Sequence, residues 1–233
     1  MSALNRTTTG VLGLDEILNG GIPRGRVVLI IGGPGTGKTI LATQFLVEGI
    51  KIGENGIFVS LDESKTHYFS EMAKFGWNLE GYERERKFSF VDASPIRHLP
   101  GEVKLGKITI GKREFSMLSL IEGINSSVKE VNAKRIVVDP IASLIFQYPD
   151  PVQMRTAVLD LVEALVGTNA TCMLTTELRS MGLERVVQPE EYLAHGVIIL
   201  QTLHVGRSYV RALQVEKMRE TAVDTQPRPY RIM

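Results

Sequence analysis

The chain has 233 residues, 43% of them hydrophobic and 23% charged, with 27 Lys and Arg against 26 Asp and Glu and a single cysteine, Cys172. A chain of this length buries roughly three quarters of the surface its unfolded form exposes, so one domain over 1–233 is expected, and a lone cysteine excludes an internal disulfide framework or a CxxC zinc site. A net charge of +1 makes no global claim on nucleic acid or membrane. The opening MSALNRTTTG holds nothing near the roughly 20 apolar residues of a membrane span, so an untargeted cytoplasmic protein is expected.

In chain order, RVVLIIG at 26–32 is a short apolar β run, and TGKTILATQFLVEGIKIG after it has the pattern of a helix. GIFVSL at 56–61 predicts a second strand, 64–75 a helix, FSFVD at 88–92 a strand, 115–131 a helix, RIVVD at 135–139 a strand, 152–166 a helix, and TCMLTT at 171–176 a strand. Unbroken Val and Ile runs suit strands covered on both faces, and the helices between them are long enough to be crossovers. The expected class is therefore α/β, a mostly parallel central β-sheet flanked by helices. After Ala194 the rhythm changes, and GVIILQTL, HVGRS and YVRALQVEKMR predict two strands joined by a Gly-containing turn, a C-terminal β-hairpin completing the sheet. Segments 97–113, with five Lys and Arg against one Glu, and 178–190 read as loops after strands. Such loops either line the carboxyl edge of the sheet, where ligands of open α/β folds lie, or are solvated excursions.

The strongest chemical signal is GGPGTGKT at 32–39, which fits G-x-x-x-x-G-K-[ST] with a strand before it and a helix after it. Gly33, Pro34, Gly35, Thr36 and Gly37 form the turn whose backbone N–H groups cradle phosphate oxygens, and the helix N-terminus adds partial positive charge. Lys38 reaches the β and γ phosphates, and the Thr39 hydroxyl completes a Mg²⁺ shell.

A magnesium-bound nucleotide needs an acid at the end of a neighbouring strand, and RIVVD supplies Asp139. Hydrolysis needs a group to orient water, and Asp62 and Glu63 follow GIFVSL; the alternative for both is capping of the helix near Ser64. Alternation along YVRALQVEKMR puts Tyr209, Arg211, Leu213, Val215, Lys217 and Arg219 on one face. Lys217 and Arg219 are then either a solvated edge or cations offered to a γ-phosphate, in the same chain or a neighbour.

These residues carry a resemblance. TGVLGLDEILNGGIPRGRVVLIIGGPGTGKT, followed in order by FVSLDES, RIVVDPIASLI, MLTTELR and EKMRET, resembles the KaiC family of RecA-like ATPases over nearly the whole chain, and most closely its single-domain archaeal members. The preamble before the phosphate loop is the more specific part, since it separates this branch from kinases, GTPases and transporter ATPases. The resemblance implies a RecA-like P-loop fold, ATP and Mg²⁺ as ligands, and a homo-hexameric ring with nucleotide between subunits. It implies phosphate binding by 32–39, paired catalytic carboxylates at Asp62 and Glu63, Mg²⁺ held through water by Asp139, and a K-x-R at Lys217 and Arg219 reaching the neighbour's γ-phosphate. Thr176 and Glu177 resemble the family's phosphate-sensing strand end. Asp62 stands where the family has a glutamate, which leaves either acid as the water-orienting group. Glu191 and Tyr192 stand where the clock protein phosphorylates Ser and Thr, so autokinase activity is not expected.

A competing reading is an ATP-controlled module that binds single-stranded DNA or a recombinase with little hydrolysis, through loops near 147–151 and 178–189 carrying Arg179 and Arg185, and the cations of 97–113. Apart from Tyr148 those loops lack stacking aromatics, so at most weak, salt-sensitive, sequence-independent binding is expected. His67, His98, His195 and His204 are too scattered for a metal site; Trp77 is expected to pack helix against sheet, and Phe146 and Tyr148 to dock on a neighbouring subunit, with stacking on a base as the alternative.

Overall fold

The computed structural model describes residues 5–93, 103–105, 108–110, 117–148, 150–181 and 184–233. One sheet of eight strands organises them: β1 (Val27–Gly32), β2 (Gly56–Ser60), β3 (Phe88–Asp92), β4 (Arg135–Asp139), β5 (Thr171–Glu177), β6 (Gly196–Val205), β7 (Ser208–Met218) and β8 (Arg228–Pro229). The spatial order is β8-β7-β6-β1-β5-β4-β2-β3. From β6 to β3 every pairing is parallel, and β7 and β8 add antiparallel at the other edge. The expected α/β class and the hairpin of β6 and β7 are therefore present.

Continuous apolar runs are explained by burial on both faces. Leu29, Ile31, Val59, Val138 and Leu174 face a layer containing α5 (Met117–Val131) and α7 (Pro151–Gly167); Val28, Ile30, Phe58, Val137 and Met173 face α2 (Lys38–Lys51) and α3 (Lys65–Ala73). Side chains of this kind stabilise by ~1.5–3 kcal/mol each when fully buried, so both faces hold the strand register. Helix starts follow local chemistry. Asp150 accepts the backbone N–H groups of Val152 (3.0 Å) and Gln153 (2.9 Å), with Pro151 at the first position of α7.

The preamble is fastened to this core by a buried cation. Arg135, fully buried, pairs with Glu54 at 2.7 Å and donates to the carbonyls of Thr8 (2.6 Å) and Phe45 (2.7 Å). A Cβ on Gly49 would sit 2.4 Å from Arg135 Cδ, so only glycine leaves room for it there. Trp77 packs, as expected, against the apolar layer around α3, stacked on Phe75 at 5.5 Å. Both segments read as loops carry small antiparallel ladders, Val103–Leu105 with Ile108–Ile110 and Ser180–Met181 with Glu184–Arg185. The rest of 97–113, His98 included, lies outside the described residues.

Candidate functional site

The loop between β1 and α2 is shaped by close approach and by backbone sign. A Cβ on Gly32 would lie 2.5 Å from Thr36 Oγ1 and 2.8 Å from the Leu200 carbonyl oxygen. Gly35 (φ +72°) and Gly37 (φ +86°) sit in the left-handed region, where a side chain is disfavoured and successive N–H groups turn to one side. Thr36 Oγ1 donates to the Gly33 carbonyl at 2.7 Å, closing the turn, and Lys38 Nζ donates to the carbonyls of Gly32 (2.8 Å) and Gly33 (3.2 Å). Burial lowers the Lys38 pKa, with Asp139 and Glu177 pulling it back up.

Asp139 ends β4 and accepts from both sides: Thr39 Oγ1 donates to one oxygen at 2.8 Å and Thr175 Oγ1 to the other. Burial raises the Asp139 carboxyl above its ordinary range against these hydrogen bonds and Lys38. Its strand is not the neighbour of β1, contrary to the sequence expectation. β5 lies between them, because each parallel crossover is free to skip a strand and the local pattern does not record which one. A threonine hydroxyl, one carboxylate and a phosphate-cradling loop fit a magnesium nucleotide, since Mg²⁺ takes few protein ligands and shares the substrate's phosphates. Among the described residues no cluster of three or more His, Cys, Asp or Glu offers a separate metal site.

β2 ends at Ser60, before the two acids, so strict alternation no longer governs them. Ser60 Oγ accepts the Glu63 N–H (2.9 Å) and donates to its carbonyl (2.7 Å), turning the chain there. Glu63 is half-buried, and burial raises its pKa, followed by the negative charges of Glu71 and Asp139. Asp62 is exposed and accepts the Ser143 hydroxyl. The two carboxylates thus have different settings, one half-buried and one on the rim.

Lys217 and Arg219 correct another expectation. The pairing of β6 with β7 steps from Val197 opposite Lys217 to Ile198 opposite Val215, so Glu216 is an extra residue. This bulge breaks the period of two. Leu213, Val215 and Met218 line the apolar layer, while Lys217 points away from them and donates to the Glu191 carbonyl at 2.5 Å. Burial and the charge of Arg219 lower its pKa. Val197 pairs with Leu29, whereas Gly32 pairs with Leu200. Lys217 is therefore displaced from its own phosphate loop by about 10 Å along the strands and about 10 Å across them.

Several groups at the site carried no sequence signal. Thr175 sat inside an apolar strand, and Ser143 inside a short helix, α6 (Ala142–Ile145), after the acid. Gln188 Nε2 donates to the Glu177 carbonyl at 2.8 Å, tying the strand end beside Gly32 to α8 (Pro189–Leu193). Glu191 is buried and paired with Arg185 at 2.7 Å. The last residues fold over the phosphate loop: the Tyr230 hydroxyl donates to the Thr36 carbonyl, and Ile232 lies against Gly37. His195 Nδ1 accepts the Val27 N–H at 3.2 Å, a structural use.

The chain is similar to known proteins over nearly its whole length. A family model described as the KaiC ATPase matches residues 7–233. A UPF0273 protein of Pyrococcus horikoshii is 37% identical over 97% of this chain and 90% of its own length, and one of Thermotoga maritima is 34% identical over 98% and 93%. The circadian clock protein KaiC3 of Synechocystis is 34% identical over 94% of this chain and 42% of its own length. The crystal structure of a KaiC-like protein of P. horikoshii superposes with a TM-score of 0.82 at 34% identity, covering 98% of this chain and 95% of that one. With a RecA-like nucleotide-binding fold and the phosphate loop in place, the chain belongs to the KaiC family of ATPases.

Proposed function

We propose that the protein hydrolyses ATP to ADP and phosphate at a site shared between copies of the chain in a homo-hexameric ring, in the reducing cytoplasm that suits its one buried thiol. One observation carries the shared site: Lys217 lies about 10 Å along and about 10 Å across the sheet from its own phosphate loop, and Arg219, opposite His195, lies farther along, so a γ-phosphate they touch must be held by another copy. The backbone of 33–37 and the ammonium of Lys38 bind and orient the triphosphate. Mg²⁺, when bound, screens the β and γ phosphate charge, and Thr39 and Asp139 would hold it, the latter through water.

Glu63 orients water and accepts its proton as the water oxygen bonds to the γ-phosphorus and the bond to the ADP oxygen breaks. Its half-buried carboxylate, with a pKa raised by burial, suits that task better than the exposed Asp62, which instead pins Ser143 at the rim. The neighbour's Lys217 and Arg219 neutralise charge growing on the γ-phosphoryl oxygens. Mass by light scattering with and without Mg-ATP, together with phosphate release across a protein dilution series, tests the reading. Specific activity that falls as assemblies dissociate is the expected result; constant activity from monomers would remove the shared site, and assembly without phosphate release would remove hydrolysis.

A further inference from the structure

The stretch TGVLGLDEILNGGIPRG, 9–25, is the most specific part of the sequence, yet none of its residues has a place in the proposed reaction. Its backbone is unusual. After α1 (Leu12–Ile17) and Leu18, three consecutive residues lie in the left-handed region, Asn19 (φ +54°), Gly20 (φ +104°) and Gly21 (φ +122°), and a Cβ on Gly21 would sit 2.3 Å from the Thr7 carbonyl oxygen. This turn brings the carbonyls of Leu18 and Gly21 to one side chain, and Arg6 Nη1 donates to both at 3.2 Å. A short antiparallel ladder, Arg6 opposite Pro23 and Thr7 opposite Ile22, fixes the backbone from which that side chain starts.

The same guanidinium reaches the end of β7. Arg6 Nη1 also donates to Thr221 Oγ1 at 2.6 Å and Nη2 to the Glu220 carbonyl at 3.2 Å, so four neutral oxygens from two distant segments meet on one cation. Lysine there would keep the charge but hold its three donors at one point, too compact to span both segments. Asn19 Nδ2 donates to the Ala222 carbonyl at 3.0 Å, and Arg26, the residue before β1, pairs with the Glu220 carboxylate. The Arg219 N–H donates to the carbonyl of His195, the residue before β6, at 2.9 Å. Every residue of 219–222 is therefore tied to the preamble or to the start of a central strand. The Arg219 side chain is the exception: it is exposed, and among the described residues its guanidinium has no hydrogen bond or ion pair. An anchored backbone under an unengaged guanidinium suits presentation to another surface, since main-chain entropy is lost on folding and not on contact, and the planar fork stays open to phosphate oxygens.

We infer that the preamble is the mount of Arg219 and that Arg6 is a positioning residue for the cation supplied to a neighbouring copy. The inference rests on the shared site proposed above, and it gives the preamble a part in hydrolysis beyond holding the fold. Arg6→Ala should leave Mg-ATP affinity unchanged by titration calorimetry and lower kcat by about 10²-fold with KM nearly constant, the scale of a displacement of about 1 Å at a reacting centre. Mixed assemblies separate positioning from folding. Arg6→Ala chains mixed with Lys38→Ala chains should regain part of the phosphate release, because the first keep an intact phosphate loop and the second a well-placed Arg219. Arg6→Ala mixed with Arg219→Ala should regain none, since neither chain supplies a placed cation. The reverse pattern, or Mg-ATP affinity that falls together with kcat, would make Arg6 a staple of its own nucleotide site and overturn the inference. Thr221→Val removes only the hydroxyl that accepts from Arg6; it should show the same pattern with a smaller loss, and it carries the test if circular dichroism finds Arg6→Ala unfolded. Wild-type kcat in the folded variants also overturns the mount. Absence of rescue between Lys38→Ala and Arg219→Ala chains would remove the shared site itself, whereas rescue there and none between Arg6→Ala and Lys38→Ala would remove the mount alone.

Discussion

The phosphate loop and the β7 edge hold the charged groups of one proposed reaction, yet they are built in opposite ways. Around 32–39, Thr39, Asp139 and Thr175 are linked by hydrogen bonds and Lys38 donates to the loop's own carbonyls, all within a single chain at the carboxyl edge of a sheet buried on both faces. Lys217 near the end of β7, and Arg219 just beyond it, follow a bulge near the opposite end of the parallel strands, and Lys217 is held by a backbone carbonyl of α8. The first region is complete for holding a nucleotide. The second has, among the described residues, no phosphate-binding group of its own chain close by, which is why the proposed reaction has it supplied to a partner.

The sharpest way to break this contrast is to delete the edge and leave the loop intact. Lys217→Ala with Arg219→Ala should spare nucleotide binding and lower kcat by about 10³-fold, the scale of a cation supplied to a γ-phosphate in trans. Mixing this variant with Lys38→Ala chains should restore part of the phosphate release, because one partner still binds nucleotide and the other still supplies cations. Absence of rescue in mixed assemblies would place the two regions in separate functions.

Within the loop region, the two carboxylates can be separated. Glu63→Gln should cost roughly 10²-fold or more in kcat with little change in KM, as expected for loss of a base acting in the transition state. Asp62→Asn should cost much less, since that side chain is exposed and engaged with Ser143. Reversal of this order would make the rim carboxylate the water-orienting group. A smaller effect belongs to Lys38→Ala, whose lost charge-assisted hydrogen bonds to phosphate are worth about 2 kcal/mol, or roughly 30-fold in nucleotide affinity by titration calorimetry.

What the sequence disclosed divides along the same line. The phosphate loop was legible because its chemistry is local: glycine positions, lysine and hydroxyl lie within eight residues of one another. The parallel sheet was legible because burial on both faces leaves unbroken apolar runs. The place of β5 between β1 and β4 was not, since strand order depends on crossovers that span whole helices. Nor was the bulge at Glu216, because an inserted residue leaves composition and apparent alternation unchanged while turning Lys217 away from Leu213. Tyr230 and Ile232 were silent for a different reason: TQPRPYRIM has no periodicity, and its contacts with Thr36 and Gly37 lie almost 200 residues away along the chain.

The finest test concerns the charge around Glu63. A base must be ionised to accept a proton, so its titration sets the acid limb of kcat/KM, and a raised pKa places that limb at higher pH. Burial is the first cause of the rise, and the negative charge of Glu71 is the second. Glu71→Gln removes that charge while keeping size, so Glu63 should ionise more easily and the limb should move to lower pH, by less than about one unit for a partly solvated pair. His67 acts with the opposite sign, lowering the Glu63 pKa. His67→Ala should therefore move the limb upward. Opposite shifts from two α3 residues, with kcat on the alkaline plateau nearly unchanged, would identify Glu63 as the titrating base; a limb indifferent to both would assign it to a group elsewhere at the shared site.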